Sequence, residues 1–122
     1  MLDTHVAASL YEGRRNRLSM RARGMLDRDL AVISPAVLLE LEFMHEIGRT
    51  RSGARIVARY LGEELDIRIA EDSFAQVAEG ALDLIFTRDP FDRLIVAHAV
   101  VLKVPLITFD AQIQANYSRA MN

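Results

Sequence analysis

Cysteine is absent from this sequence of 122 residues, and lysine occurs only once, at Lys103. Without cysteine the protein has no disulfides, no zinc sites built on thiolates and no thiol nucleophile. No apolar run approaches the ~18 residues that span a bilayer, and no segment has the basic start and apolar middle of a signal peptide. We therefore expect one domain, residues 1–122, that is cytoplasmic and makes no membrane contact.

Several common functional motifs are also missing. The sequence contains no P-loop, no GxGxxG motif and no nucleophile elbow. Its three histidines, His5, His45 and His98, are not spaced as a metal motif. We expect His45 on a solvated helix face and His98 as a hydrogen-bonded core residue. His5 is expected to support neighbouring acids at most.

Arginine supplies fourteen of the fifteen basic residues, and they are unevenly distributed. The first 62 residues hold ten arginines against seven acids, and the last 60 hold five basic residues against ten acids, so the net charge is −2. Arginine suits bidentate contact with phosphate, but a coding bias toward arginine explains the composition as well. Arg51, Arg55 and Arg59 share one side of a predicted helix, which either borders a nucleic-acid groove or is a solvated face.

Short apolar segments alternate with helical ones. The predicted strands are the end of a shortened first strand at Met1-Leu2 and residues 30–33, 67–70 and 104–108. Their connections are too long for hairpins, which predicts an α/β fold with a parallel sheet covered by helices on both faces. After Tyr117 little room is left for a last strand.

Five helix starts follow from capping residues. They are at Asp3, Ser34, Ser52, Asp89 and Asp110. A second helix is expected around Leu18, Met25 and Leu26, and a further one, from Ser73, is expected to carry an apolar stripe that reaches Ile85. The helix after Asp89 is apolar nearly all round from Leu94 to Leu102, which predicts a central, buried position.

Two acids lie on faces that should point to the core. Glu40 is at the centre of an apolar helical stripe that includes Phe43 and Ile47, and Asp92 has Ile95 and Val96 among its neighbours on the helical wheel. An unpaired buried carboxylate is costly and tends to take up a proton. Glu40 is therefore a metal ligand or catalytic group, or else it pairs with a cation such as Arg93 or is a hydrogen-bonded neutral acid. Asp92 is either functional or favoured by the positive end of its helix.

Three further acids occur where helices begin. Asp3 and Asp110 each follow a strand, at the edge where α/β folds bind ligands, although each would also serve as an N-cap. Asp89 precedes Pro90 and is expected to be mainly a cap, with direct metal contact as the alternative. Carboxylates gathered together repel one another unless a cation is present. An all-oxygen set suits Mg²⁺ or Mn²⁺, which can activate water against a phosphodiester.

Four segments together carry a family resemblance. They are residues 2–6 (LDTHV), 34–41 (SPAVLLEL), 89–99 (DPFDRLIVAHA) and 106–110 (LITFD). In this order they resemble the motifs of PIN-domain proteins, specifically VapC-type toxin ribonucleases of bacterial type II toxin–antitoxin systems. Two features depart from the family pattern: only two residues precede Asp3, and little chain follows Tyr117.

The resemblance implies a PIN-like three-layer α/β/α sandwich with a central parallel sheet. It implies a site for Mg²⁺ or Mn²⁺ carried by Asp3, Glu40, Asp92 and Asp110, with Thr4 and Thr108 as supporting groups. It further implies cleavage of RNA (tRNA, rRNA or mRNA) by metal-activated water, a homodimer, and neutralisation by a cognate antitoxin.

Other functions remain open from sequence. A PIN-like domain with little catalysis that acts as a partner-binding module is the main alternative, and a shortened first strand favours it. A phosphatase or DNA nuclease would use the same metals. A phosphoacceptor receiver domain is disfavoured, because the only lysine precedes the last predicted strand instead of following it.

Overall fold

A computed structural model describes residues 1–122 as seven α-helices, a 3₁₀ turn and four short strands. The helices are α1 (Thr4–Tyr11), α2 (Met20–Arg28), α3 (Pro35–Glu46), α4 (Ala54–Leu65), α5 (Phe74–Ala81), α6 (Pro90–Leu102) and α7 (Ala111–Asn116), and the 3₁₀ turn is Arg15–Arg17. The strands are β1 (Val32–Ile33), β2 (Arg68–Ile69), β3 (Leu106–Ile107) and β4 (Ala120–Met121). None of the helices has both the length and the apolar character needed to cross a membrane. The predicted α/β alternation is confirmed.

The sheet is parallel and is joined in its middle by one residue. β1 pairs with β2 and β3 pairs with β4, both in parallel. Leu2 forms parallel bridges to Ile33 on one side and to Ile107 on the other. Its amide donates to the Val32 carbonyl at 2.9 Å, and the Ile107 amide donates to the Met1 carbonyl at 2.9 Å. The first strand is thus as short as expected, yet it occupies the central position between β1 and β3.

The expectation that little room remains for a strand after Tyr117 is wrong. β4 forms at Ala120–Met121 and lies at the edge of the sheet beside β3. The Thr108 amide donates to the Met121 carbonyl at 2.8 Å. Because a parallel strand needs only two residues to make these bonds, the short tail is sufficient.

The core lies between this sheet and the helices packed on it. Leu2, Ile33 and Leu106 are essentially inaccessible to solvent, and each such side chain contributes about 1.5–3 kcal/mol by burial. Ile95 and Ala99 of α6 belong to the same core cluster. The prediction of a central, buried α6 is therefore confirmed.

Two helices differ from their predicted limits. α5 ends at Ala81, and Ile85 is 83% exposed because it follows the helix end and no longer shares the phase of the apolar stripe. α4 begins after Gly53 instead of at Ser52. The glycine has no capping side chain, and the Glu42 carboxylate of α3 accepts from the Ala54 amide at 2.7 Å in its place.

Candidate functional site

Asp3 lies at the carboxyl end of the central strand position. Its side chain caps α1 by accepting from the Thr4 amide at 2.7 Å, and its other oxygen accepts from the Thr108 hydroxyl at 2.6 Å. Only 4% of the residue is exposed. Burial raises the pKa of Asp3, the Thr108 and Thr4 hydrogen bonds lower it, and the charge of Asp110 raises it further. The structure thus holds a carboxylate in a place that disfavours its charge.

Glu40 is brought to the same neighbourhood by α3. The Thr4 hydroxyl donates a hydrogen bond to its carboxylate. Burial raises the pKa of Glu40, and the charges of Asp3 and Asp89 add to the rise, while the Thr4 hydrogen bond lowers it. Glu40 makes no ion pair with Arg93 or any other cation, and the Arg93 guanidinium donates to the Thr87 carbonyl at 2.7 Å. Of the sequence alternatives, the ion pair is therefore excluded.

The predicted position of Glu40 at the centre of a buried stripe is wrong. Phe43 and Ile47 are each 47% exposed, whereas Leu41 is 1% exposed. Glu40 is half-buried at the border of the face that α3 packs against the core. A helical wheel gives the phase of the apolar residues but not which edge of the stripe is left uncovered.

Asp92 lies in the first turn of α6. Burial raises its pKa to about 6, with further contributions from the charges of Asp89, Asp3 and Asp110. The Thr87 hydroxyl donates to its carboxylate at 3.2 Å and also accepts from the Asp89 amide at 3.1 Å. Sequence reasoning missed Thr87. The sequence feature that could have identified it is a hydroxyl two residues before the Asp89 cap, a spacing typical of Ser/Thr turns.

Asp89 and Asp110 are both N-caps. Asp89 accepts from the amides of Phe91 (2.8 Å) and Asp92 (3.2 Å). Asp110 accepts from the amides of Gln112 (2.6 Å) and Ile113 (3.0 Å). The capping prediction for Asp89 is confirmed, and so is the capping alternative for Asp110. Both side chains are exposed, and each raises the pKa of another acid in the group, which places them within electrostatic reach of it.

The five acids form one electrostatic neighbourhood, which we call the acidic site: Asp3, Glu40, Asp89, Asp92 and Asp110. Burial and the charges of neighbouring acids both disfavour the charged forms of Asp3, Glu40 and Asp92, so a cation is the natural partner, and an all-oxygen donor set fits Mg²⁺ or Mn²⁺. No three His, Asp or Glu side chains are arranged here to hold one ion together. Each carboxylate instead accepts hydrogen bonds from hydroxyls or helix amides. His5, which is exposed, lowers the pKa of both Asp3 and Glu40.

A buried hydrogen-bond network connects two of the helices that carry the acids. His98 of α6 contacts the Ser34 hydroxyl at 2.9 Å through Nδ1 and the Asp72 carboxylate at 3.2 Å through Nε2. His98 is 2% exposed, so its prediction as a hydrogen-bonded core residue is confirmed. Ser34 in turn caps α3. The network links the helix that carries Asp92 to the helix that carries Glu40.

Comparison with known proteins agrees with this architecture. No curated protein matches the sequence significantly. A chain in the crystal structure of VapBC2 from Rickettsia felis bound to a DNA fragment from their promoter superposes with a TM-score of 0.73, at 16% identity, over 100% of this chain and 96% of that chain. At this identity the likeness concerns the fold. The sequence model of the PIN domain family matches residues 1–118. The chain therefore belongs to the PIN domain family.

Proposed function

We propose that this PIN-domain protein is a Mg²⁺- or Mn²⁺-dependent endoribonuclease and the toxin of a VapC-type toxin–antitoxin pair, acting in the cytoplasm. One observation carries the proposal. Asp3, Glu40 and Asp92 are brought together from three separate parts of the chain, and the pKa of each is raised. Acids with raised pKa values cluster at functional sites. PIN domains are generally nucleases, and PIN nucleases generally use divalent metals.

The residues divide into those that would hold an ion and those that orient them. Asp3, Glu40, Asp92 and Asp110 are the proposed ligands, and Asp89 is a further oxygen donor at the rim. A divalent ion at such a site supplies Lewis acidity to the phosphodiester and to the attacking water.

The hydroxyls of the protein fix the acids. Thr108 holds one oxygen of Asp3 and Thr4 holds Glu40, so rotation of either carboxylate is restricted before substrate arrives. Pre-set donors and acceptors of this kind reduce the reorganisation needed in the transition state. We assign Thr4 and Thr108 this positioning role, and Thr87 the same role toward Asp92.

The proposed partners are RNA, a cognate antitoxin and a second copy of the chain as a homodimer. The likeness in fold to a VapBC2 chain supports an antitoxin partner. The arginine-rich first half of the sequence supports an anionic substrate.

RNA cleavage by purified protein tests the proposal. End-labelled tRNA and a single-stranded RNA are incubated with Mg²⁺, with Mn²⁺ or with a chelator. Glu40→Gln and Asp92→Asn keep the shape and the hydroxyl partner of each acid, and we expect them to lower cleavage by roughly 100-fold or more, since removal of even supporting residues at metal sites costs 10–100-fold. Asp83→Asn, an exposed acid outside the site, is the matched control. Full cleavage by both site variants would refute the assignment.

The alternative is a PIN domain that binds metal or partner with little catalysis. The absence of three acids already arranged around one ion favours it. In that case wild-type protein cleaves no RNA under any metal condition, while calorimetry still detects binding of Mg²⁺ or Mn²⁺.

A further inference from the structure

A cleft of about 580 Å³ lies between α1, α3 and the segment that joins α3 to α4. Three arginines line it: Arg14, Arg49 and Arg51. The only acid in its lining is Glu12, which pairs with Arg14 at 3.1 Å. Arg49 and Arg51 make no ion pair in the molecule. Two arginines are thus left to meet an anion from outside, in a chain whose net charge is −2.

The segment that carries these two arginines is held from three sides. The Arg49 amide donates to the Met44 carbonyl of α3 at 2.8 Å. The Tyr11 hydroxyl of α1 lies 2.9 Å from the Ser52 hydroxyl. The Thr50 hydroxyl donates to the Ser52 carbonyl at 3.2 Å, and the Thr50 carbonyl contacts His45 at 3.1 Å. Because the backbone is fixed in advance, binding here orders only side chains, which lowers its entropic cost.

The chemistry of the cleft suits phosphate. Guanidinium groups form bidentate hydrogen bonds with phosphate oxygens. The hydroxyls of Thr50 and Ser52 also line the cleft, but both are hydrogen-bonded within the protein, so the arginines are the groups that bind the phosphate. A positively charged groove that follows the backbone is how proteins hold single-stranded nucleic acid without reading its sequence.

The cleft and the acidic site share two helices. Thr4 and Tyr11 are seven residues apart in α1, and Glu40 and Gly48 are eight apart along α3 and its end. At 1.5 Å per residue these separations correspond to roughly 10–12 Å. The cleft therefore lies about two helical turns from the acids, measured along both helices.

We propose that this cleft binds the phosphodiester backbone of single-stranded RNA to one side of the scissile bond. Arg49 and Arg51 supply affinity there and take no part in the chemical step. The acidic site repels the substrate on its own, and the cleft offsets that repulsion. This inference rests on the proposed ribonuclease function.

Salt-dependent binding tests it. The full chain is titrated into a fluorescein-labelled 12-nucleotide oligouridylate in chelator between 50 and 200 mM salt, and anisotropy is recorded. Each lost phosphate contact lowers the slope of log K against log salt by about 0.7. Arg49→Ala/Arg51→Ala should therefore lower it by about 1.4, which is roughly 20-fold in affinity at 0.1 M salt. Arg49→Lys/Arg51→Lys should keep most of the slope.

Arg68→Ala/Arg119→Ala removes the same charge and serves as the matched control. Arg68 opens β2 and Arg119 precedes β4, and neither side chain lines the cleft. We expect its slope to equal that of the wild type. In cleavage assays the cleft variant should raise KM with kcat unchanged.

The outcomes separate the two proposals. If the wild type cleaves RNA and the alanine variant keeps both the wild-type slope and KM, the cleft proposal fails and the ribonuclease stands. If the wild type neither binds nor cleaves RNA, both fail. If an oligoglutamate peptide binds the wild type more tightly than RNA does and loses affinity in the alanine variant, the cleft is a site for an acidic peptide and the RNA proposal is overturned.

Discussion

Asp92→Asn should stabilise the metal-free protein. The pKa of Asp92 rises from 3.8 to about 6 on folding, and two units correspond to about 3 kcal/mol without screening. The side chain is only half-buried, and solvent screening reduces this to roughly 1–2 kcal/mol. Loss of the charge at the positive end of α6 removes about 0.3–1 kcal/mol. Asparagine still accepts from Thr87, so the net gain is about 1 kcal/mol, or roughly 4 °C in the unfolding midpoint.

The pH dependence of this gain follows from the direction of the shift. The folded-state pKa of Asp92 lies above the unfolded one, so the folded protein binds more protons between pH 4 and 6. The destabilisation of the wild type by charged Asp92 is therefore complete above about pH 7 and disappears as the pH falls through 6 toward 4. Urea denaturation of both proteins in chelator at pH 7.5, 6, 5 and 4 measures it. A variant that is less stable at pH 7.5, or a difference that does not change with pH, would refute the reasoning.

Metal should reverse the order of stability of Asp92→Asn and the wild type. An ion that binds only the folded state adds about 2.7 kcal/mol when its concentration is 100 times its dissociation constant. We expect Mg²⁺ or Mn²⁺ to raise the unfolding midpoint of the wild type and to have a smaller effect on the variant. Asp83→Asn should respond to metal as the wild type does.

Substitutions at three further positions probe the groups around the acids. Thr108→Val should cost about 1–3 kcal/mol in calorimetry because it removes a buried donor to Asp3, whereas Thr108→Ser keeps the hydroxyl and should cost less than 1 kcal/mol. His98→Leu should cost about 1–3 kcal/mol in urea denaturation by leaving two polar partners unpaired, and His98→Gln, whose amide can replace Nε2 toward Asp72, should recover part of it. Asp89→Ala should cost about 1 kcal/mol as a lost cap, Asp89→Ser should not, and both should lower the pKa of Asp92 in an NMR titration.

Local rules were enough to predict much of this fold. Ser34, Asp89 and Asp110 begin helices because a short polar side chain accepts the free amides of the first turn, and this depends only on neighbouring residues. The alternation of short apolar segments with helices likewise required a parallel sheet. These features are encoded within a few residues of where they appear.

Features that depend on distant contacts were not predictable. Strands of two residues carry no periodic pattern, so neither the existence of β4 nor its pairing with β3 could be read from sequence. Phe43 is half exposed because part of the apolar face of α3 is not covered by another element, and the sequence of α3 alone does not show which part. The partner of Glu40 is Thr4, 36 residues earlier, and nothing in the helical wheel selects it over Arg93. The acids could be named from the motifs, but their hydrogen-bond partners required the tertiary structure.

The single-residue bridge at Leu2 has a consequence for how the protein is made. Leu2 joins strands that lie far apart in the chain, and the hydrogen bond from Thr108 to Asp3 closes a loop of 105 residues. Such long-range closure is slow and has a high entropic cost. A ribosome-bound chain that ends at α6 already carries Asp3, Glu40 and Asp92 but has neither β3 nor Thr108 to order them. The acidic site therefore assembles only after β3 and Thr108 have been synthesised, so any cleavage activity requires a chain that extends beyond them.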